Sequence, residues 1–287
     1  MQSPETVCIP GTRRRRLIGW LWVCLTLLAG CSTTPGTRSI RQDGVGNHLP
    51  SAEEIARIPD ATPRVEPLSP YGNPDSYVVF GKRYHTLKDS RGYSEKGIAS
   101  WYGDKFHGQR TSSGDPYDMF AMTAAHKTLP LPCYARVTNL RNNRSVIVKI
   151  NDRGPFHDNR LIDLSYTAAW KLGIIGEGTG LVEVSTIDPA APEPPPTLAQ
   201  EPPKHNRGEL PELFLQVGAF GSQGNADRLK QRIEEQLRVS VLIEETAGSA
   251  NPVYRVRVGP IASVELADHL SQRLDRLGIK NPHVVIR

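Results

Sequence analysis

The chain has 287 residues, 38% of them apolar, and a formal charge of +5, enough length for two modest domains and only a mild basic excess. Part of that excess is the run Arg13 to Arg16, so no folded face is marked for nucleic acid. No Cys/His spacing suits structural zinc, and Gly176-Glu177-Gly178-Thr179-Gly180 lacks the lysine and helix context of a phosphate loop. No cofactor is expected.

Taken in order, Arg13-Arg14-Arg15-Arg16 and the apolar stretch Leu17 to Leu28 form the basic and hydrophobic regions of an export signal, too short for a comfortable membrane span. Leu28-Ala29-Gly30-Cys31 resembles the lipobox of bacterial lipoproteins. The resemblance implies removal of residues 1–30 and lipidation of Cys31, whose acyl chains suffice for stable membrane anchoring. Ser32, where retained lipoproteins carry Asp, favours the outer membrane. An ordinary secretory signal is the alternative. Cys8 and Cys24 would leave with the signal, so Cys133 would remain without an intramolecular partner. Residues 31–76 are rich in Thr, Pro, Gly, Arg and Asp without a sustained period, and read as a disordered tether with one helical turn near Ala52 to Ile58.

From residue 77 to 187 short strand candidates alternate with Gly, Asn and Pro, the pattern of an all-β barrel. One helix interrupts them, capped by Ser165 and ended by Gly173. Val146, Val148 and Ile150 mark a buried strand, which Asn151-Asp152-Arg153-Gly154-Pro155 stops with turn chemistry. Asp152 therefore sits at the mouth of a sheet, a suitable place for a proton donor. Bonding to its own turn is the alternative. Strand alternation sends Arg153 to the opposite side.

Residues 188–211 hold eight prolines and read as a stiff linker. Residues 212–287 contain an internal repeat at an offset of about 41: Leu215-Gln216-Val217-Gly218 answers to Val256-Arg257-Val258-Gly259, and Ala226-Asp227-Arg228-Leu229 to Ala267-Asp268-His269-Leu270. Each half reads strand, amphipathic helix, strand. Together they predict a β-α-β-β-α-β module, a four-stranded antiparallel sheet with both helices on one face. The opposite face is then either a binding surface or simply solvated.

Two families are recognisable at this point. Gly97-Ile98-Ala99-Ser100-Trp101-Tyr102-Gly103, Lys105-Phe106-His107-Gly108, Thr111-Ser112-Ser113-Gly114-Asp115, Thr123-Ala124-Ala125-His126-Lys127-Thr128-Leu129-Pro130 and Asn151-Asp152-Arg153-Gly154-Pro155-Phe156 resemble the rare lipoprotein A family. Its members are septal lytic transglycosylases built on a six-stranded double-psi β-barrel. Phe214 to Phe220 and Tyr254 to Pro260 are similar to a sporulation-related repeat (SPOR) domain.

The resemblance implies cleavage of the β-1,4 bond between N-acetylmuramic acid and N-acetylglucosamine in glycan strands stripped of stem peptides. The products would carry 1,6-anhydromuramyl ends, formed at the division septum. It also implies that Asp152 is the catalytic acid and His126 its partner, hydrogen-bonded to Asp152 or to sugar; a structural imidazole capping the turn before Leu129-Pro130 is the alternative.

Asp115 stands where the family usually has Glu, so a supporting bond suits it better than proton transfer. Asp163 could flank the groove or cap the following helix. Trp101 and Tyr102 offer ring faces to sugar or fill the barrel. In the second module Gln216, Phe220, Tyr254 and Arg257 are the candidates for contact with glycan. A non-catalytic cell-wall binder is the competing functional reading.

Overall fold

Alternating apolar residues build a closed barrel and a separate four-stranded sheet, and the lengths of their strands decide what else must pack against them. The computed structural model describes residues 49–191, 210–246 and 252–287. The export signal, Cys31, the first part of the tether and most of the Pro-rich linker lie outside the described residues.

A short helix α1 (Ala52–Arg57) and a hairpin of β1 (Ser76–Val79) and β2 (Lys82–His85) precede the barrel. The barrel comprises β3 (Ser94–Trp101), β4 (Thr123–His126), β5 (Cys133–Asn139), β6 (Ser145–Asp152), β7 (Arg160–Leu164) and β8 (Gly180–Ile187), closed in the order β3-β7-β4-β6-β5-β8. Pairs β3/β7 and β4/β6 are parallel and the others antiparallel. Val146, Val148 and Ile150 point inward with Ala124, Ile162 and Leu164. Helix α2 (Tyr166–Leu172) starts where the Ser165 hydroxyl accepts from the Ala168 amide, and it ends at Gly173, whose φ of +75° suits a residue without Cβ.

The segment from 51 to 75 departs from the expectation of a disordered tether. Strand β4 is short, and the edge of β6 that it leaves bare at Ile147 is satisfied by this segment instead. The Ile147 amide donates to Asp60 Oδ2 at 2.9 Å, and its carbonyl accepts from the Ala61 amide at 3.0 Å. Asp60 also pairs with Lys171, Ile55 is 1% exposed, and a Ser51/Glu54 capping box opens α1. Farther along, burial pushes the Glu66 carboxyl up, but hydrogen bonds from Lys149, Tyr134 and Arg64 outweigh it and hold the group at about 2. Beyond the buried Ile55 and the packing of Ile58 and Ala61 on the barrel core, the segment is held by individual polar contacts, so it has no sustained hydrophobic period to read.

The second module comprises β9 (Leu213–Phe220), α3 (Gln223–Leu237), β10 (Val241–Glu245), β11 (Tyr254–Ile261), α4 (Val264–Arg276) and β12 (His283–Ile286). Its sheet runs β10-β11-β9-β12, antiparallel throughout, and both helices pack on the face carrying Leu215, Val256 and Val258. It meets the barrel through Arg160, whose guanidinium pairs with Asp268 at 2.6 Å, and through Asn159, which donates to Ser271 at 2.8 Å.

Candidate active site

Asp152 ends β6 with its carboxylate fixed by three donors to one oxygen. Oδ1 accepts from the Ser112 amide (2.8 Å), the Ser112 hydroxyl (2.7 Å) and the Arg153 amide (2.7 Å). Oδ2 takes no hydrogen bond from the described residues. The loop that carries Ser112 closes on Asp115, whose carbonyl accepts from the Thr111 amide and hydroxyl and whose carboxylate accepts from Ser113 at 3.2 Å. Asp115 itself is exposed and acts on the loop.

Strand register then sets the neighbours. Ala125 of β4 pairs with Asp152 on one side and with Asp163 of β7 on the other, and Asp163 pairs with Ser100 of β3. Ser100, Asp163, Ala125 and Asp152 therefore form one row across four adjacent strands. Two strand spacings separate the aspartates, roughly 10 Å between Cα atoms. The Ser100 hydroxyl donates to Asp163 Oδ1. Ser165, not Asp163, caps α2.

Tyr102 follows the end of β3 and lies near both acids, whereas Trp101 pairs with the inward-facing Leu164 and packs on the barrel core. The Tyr102 ring stacks on Tyr117 with centroids 4.0 Å apart, and its hydroxyl is buried. Burial raises the phenol well above its ordinary range, with further contributions from Tyr117 and from the carboxylates of Asp152 and Asp163. It thus remains a protonated donor in electrostatic reach of both acids. Trp101 is half-buried, edge-on to Tyr166.

His126 is directed elsewhere. It follows Ala125, so the strand's alternation turns it away from the face that carries Asp152. Its Nδ1 accepts from the Thr128 and Leu129 amides at 3.2 and 3.1 Å, and Nε2 lies 3.0 Å from the Tyr93 hydroxyl. With Nδ1 committed as an acceptor, the proton sits on Nε2 and is donated to Tyr93, whose own hydroxyl donates to Glu95. The expected side-chain bond to Asp152 is absent among the described residues, and the geometry is that of the turn-capping alternative.

The influence of His126 on the site passes through its backbone. Arg153 turns away from its neighbour's carboxylate and donates to the carbonyls of His126 (3.1 Å), Leu129 and Gly72 (2.8 Å) and to Asn73 Oδ1 (3.1 Å). Asn73 also accepts from the buried Leu131 amide at 2.8 Å, and Ser69 donates to the Ser113 carbonyl at 2.7 Å. The segment before the barrel thereby grips both flanks of Asp152. Asn73→Ala would leave the Leu131 amide unsatisfied, and a loss of about 1–3 kcal/mol is expected in thermal unfolding.

Ser112, Ser100, Asn73 and Tyr93 had no individual signal in the sequence. Only register and loop closure bring them to the aspartates. A cavity of about 850 Å³ lies where the barrel meets the second module, lined by Lys82, Glu95, Lys127, Asp158, Arg160 and Asp268 among others; neither Asp152 nor Asp163 lines it.

In the second module the four candidate glycan contacts divide between faces. Val217 is an extra residue in β9 between the pairs Gln216↔Arg257 and Gly218↔Val256, and this bulge reverses the alternation. Phe220 and Tyr254 consequently pack against the helical core, whereas Gln216 and Arg257 share the open face. There Arg257 pairs with Glu244 at 2.5 Å, and Arg287 with the same carboxylate.

Comparison with known proteins agrees with this architecture. Residues 94–185 match the family model described as lytic transglycolase, and residues 212–286 match that of the SPOR domain. The chain is 37% identical to a Pseudomonas aeruginosa protein named endolytic peptidoglycan transglycosylase RlpA, over 91% of this chain and 92% of that relative. It is 40% identical to the Vibrio cholerae protein of the same name, over 90% and 93% of the two chains, and 41% identical to the Neisseria meningitidis one, over 72% and 82%. A double-psi barrel joined to a SPOR module, with relatives matched along nearly their whole length, places the chain in the RlpA family.

Proposed function

We propose that the protein is an endolytic lytic transglycosylase that cuts the bond between N-acetylmuramic acid and N-acetylglucosamine in peptide-stripped glycan, with Asp152 as its acid. The observation that carries this is the clamped carboxyl: Oδ1 is held by Ser112 and Arg153, which leaves Oδ2 as the oxygen able to exchange a proton with substrate. Protonation of the glycosidic oxygen by Oδ2 breaks the C1–O bond as positive charge develops on the muramoyl ring. The 6-hydroxyl of that ring then attacks C1 and returns its proton to the same oxygen, so one carboxyl serves as acid and then base. Asp163 lies in the same row and supplies negative charge where the oxocarbenium-like centre forms.

His126 is assigned a positioning role, because its side chain builds the turn whose carbonyls hold Arg153. The SPOR module binds peptidoglycan, with Gln216 and Arg257 on the face available to it. A lipidated Cys31 would hold the protein at the outer membrane, and glycan recognition would concentrate it at the septum.

The reading is tested by mass spectrometry of peptide-free glycan strands after incubation with purified protein. Anhydro-ended oligosaccharides are expected, and an undigested strand would overturn it. Asp163→Asn should lower kcat about 10- to 100-fold with little change in KM. The separation of His126 from Asp152 favours one alternative, a non-catalytic binder. That reading requires Asp152→Asn to sediment with sacculi and to retain full biological function.

A further inference from the structure

The hairpin β1–β2 precedes the region matched by the lytic transglycosylase family model, and its turn is unusual. Val79 pairs with Lys82, leaving Phe80 and Gly81 as the two turn residues, with φ of +48° and +77°. A two-residue turn of this kind favours Asn-Gly. A bulky ring at its first position is strained, and Phe80 is 92% exposed, so neither local preference nor burial accounts for it.

The hairpin is braced against the loop that follows Asp152. Tyr77 stacks on Tyr84 at 5.4 Å, meets Phe156 edge-on at 6.1 Å, lies under the Arg153 guanidinium at 5.9 Å and donates to the Lys127 carbonyl at 2.7 Å. Phe80 at the tip lies three positions beyond Tyr77, roughly 10 Å at 3.3 Å per residue. The base of the hairpin is therefore held against the loop that follows Asp152, and the strained ring projects from it.

We propose that Phe80 is a distal sugar platform, stacking on a pyranose of the glycan strand beyond the ring being cut. The inference rests on the glycan-cleaving assignment above and extends the contacts of that site. The C–H groups along one face of a pyranose suit the negative face of an aromatic ring. A single Phe with Val78 beside it offers too little apolar area to hold a bilayer, even with Lys82 and Arg83 adjacent.

Two variants of the full chain test the proposal. Phe80→Asn relieves the turn, so the unfolding midpoint should rise by about 2–4 °C while KM for long strands rises roughly fivefold. Phe80→Trp in the Asp152→Asn background reports binding without turnover. Its tip emission, taken against Asp152→Asn alone, should shift to the blue and saturate as peptide-free strands are added. An unchanged KM in Phe80→Asn, or no emission shift with strands, would overturn the platform. A shift with phosphatidylglycerol vesicles instead of strands would also overturn it and assign the tip to a membrane. Absence of products from the wild type would sink the enzymatic reading alone, because the emission experiment does not depend on cleavage.

Discussion

Asp152→Asn is expected to retain the fold and to release anhydro-ended products at least a thousandfold more slowly than the wild type, within the range a positioned general acid and base contributes. The fold should survive because the replacement is nearly the same size and its amide oxygen can still accept from the Ser112 amide and hydroxyl and from Arg153. The chemistry should fail because an amide has no acidic proton to give to the leaving oxygen and cannot take one back from the muramoyl hydroxyl. Product release by quantitative mass spectrometry, with circular dichroism as the control for folding, separates the two effects. Activity within tenfold of the wild type would remove Asp152 from the mechanism.

Stability should fall as the pH is lowered from about 6.5 towards 3, with His126 as a main contributor. Burial lowers its imidazole from 6.5 to about 3, and the cations of Lys127 and Arg153 add to the effect. The unfolded chain therefore binds a proton through this interval that the folded chain refuses, so the free energy of unfolding rises with pH. The contribution is complete above 6.5 and reaches a loss on the order of 4–5 kcal/mol near pH 3.

Glu66, held at about 2 against an ordinary 4.5, adds a further loss only below about 4.5. Urea unfolding across pH 7 to 4 should show the slope in the wild type and a flatter one in His126→Gln. Equal slopes would mean that the imidazole is accessible to protons in the folded state. Because His126 stays neutral around pH 7, it should leave no inflection near 6.5 in the pH profile of kcat/KM.

The alternation Val146-Val148-Ile150, the turn residues after it and the repeat of the second module were legible in the sequence, because each depends on spacing within a few residues or on self-similarity at a fixed offset. They determined by themselves a barrel strand ending at Asp152 and a β-α-β-β-α-β module. The direction of Arg153 followed from the same local rule. What only the tertiary structure decided depends on register between strands distant in the chain. Ala125 lies between Asp152 and Asp163, which puts both acids in one row and turns His126 away from them. An extra residue at Val217 sends Phe220 and Tyr254 to the core side of their sheet. The segment from 51 to 75 is ordered because β4 is too short to cover β6, a shortfall that its own aperiodic sequence does not record. Hydrophobic period fixes which face of a strand is buried. It does not fix which polar residues meet on the other face, since those meetings depend on strand order, bulges and loop closure.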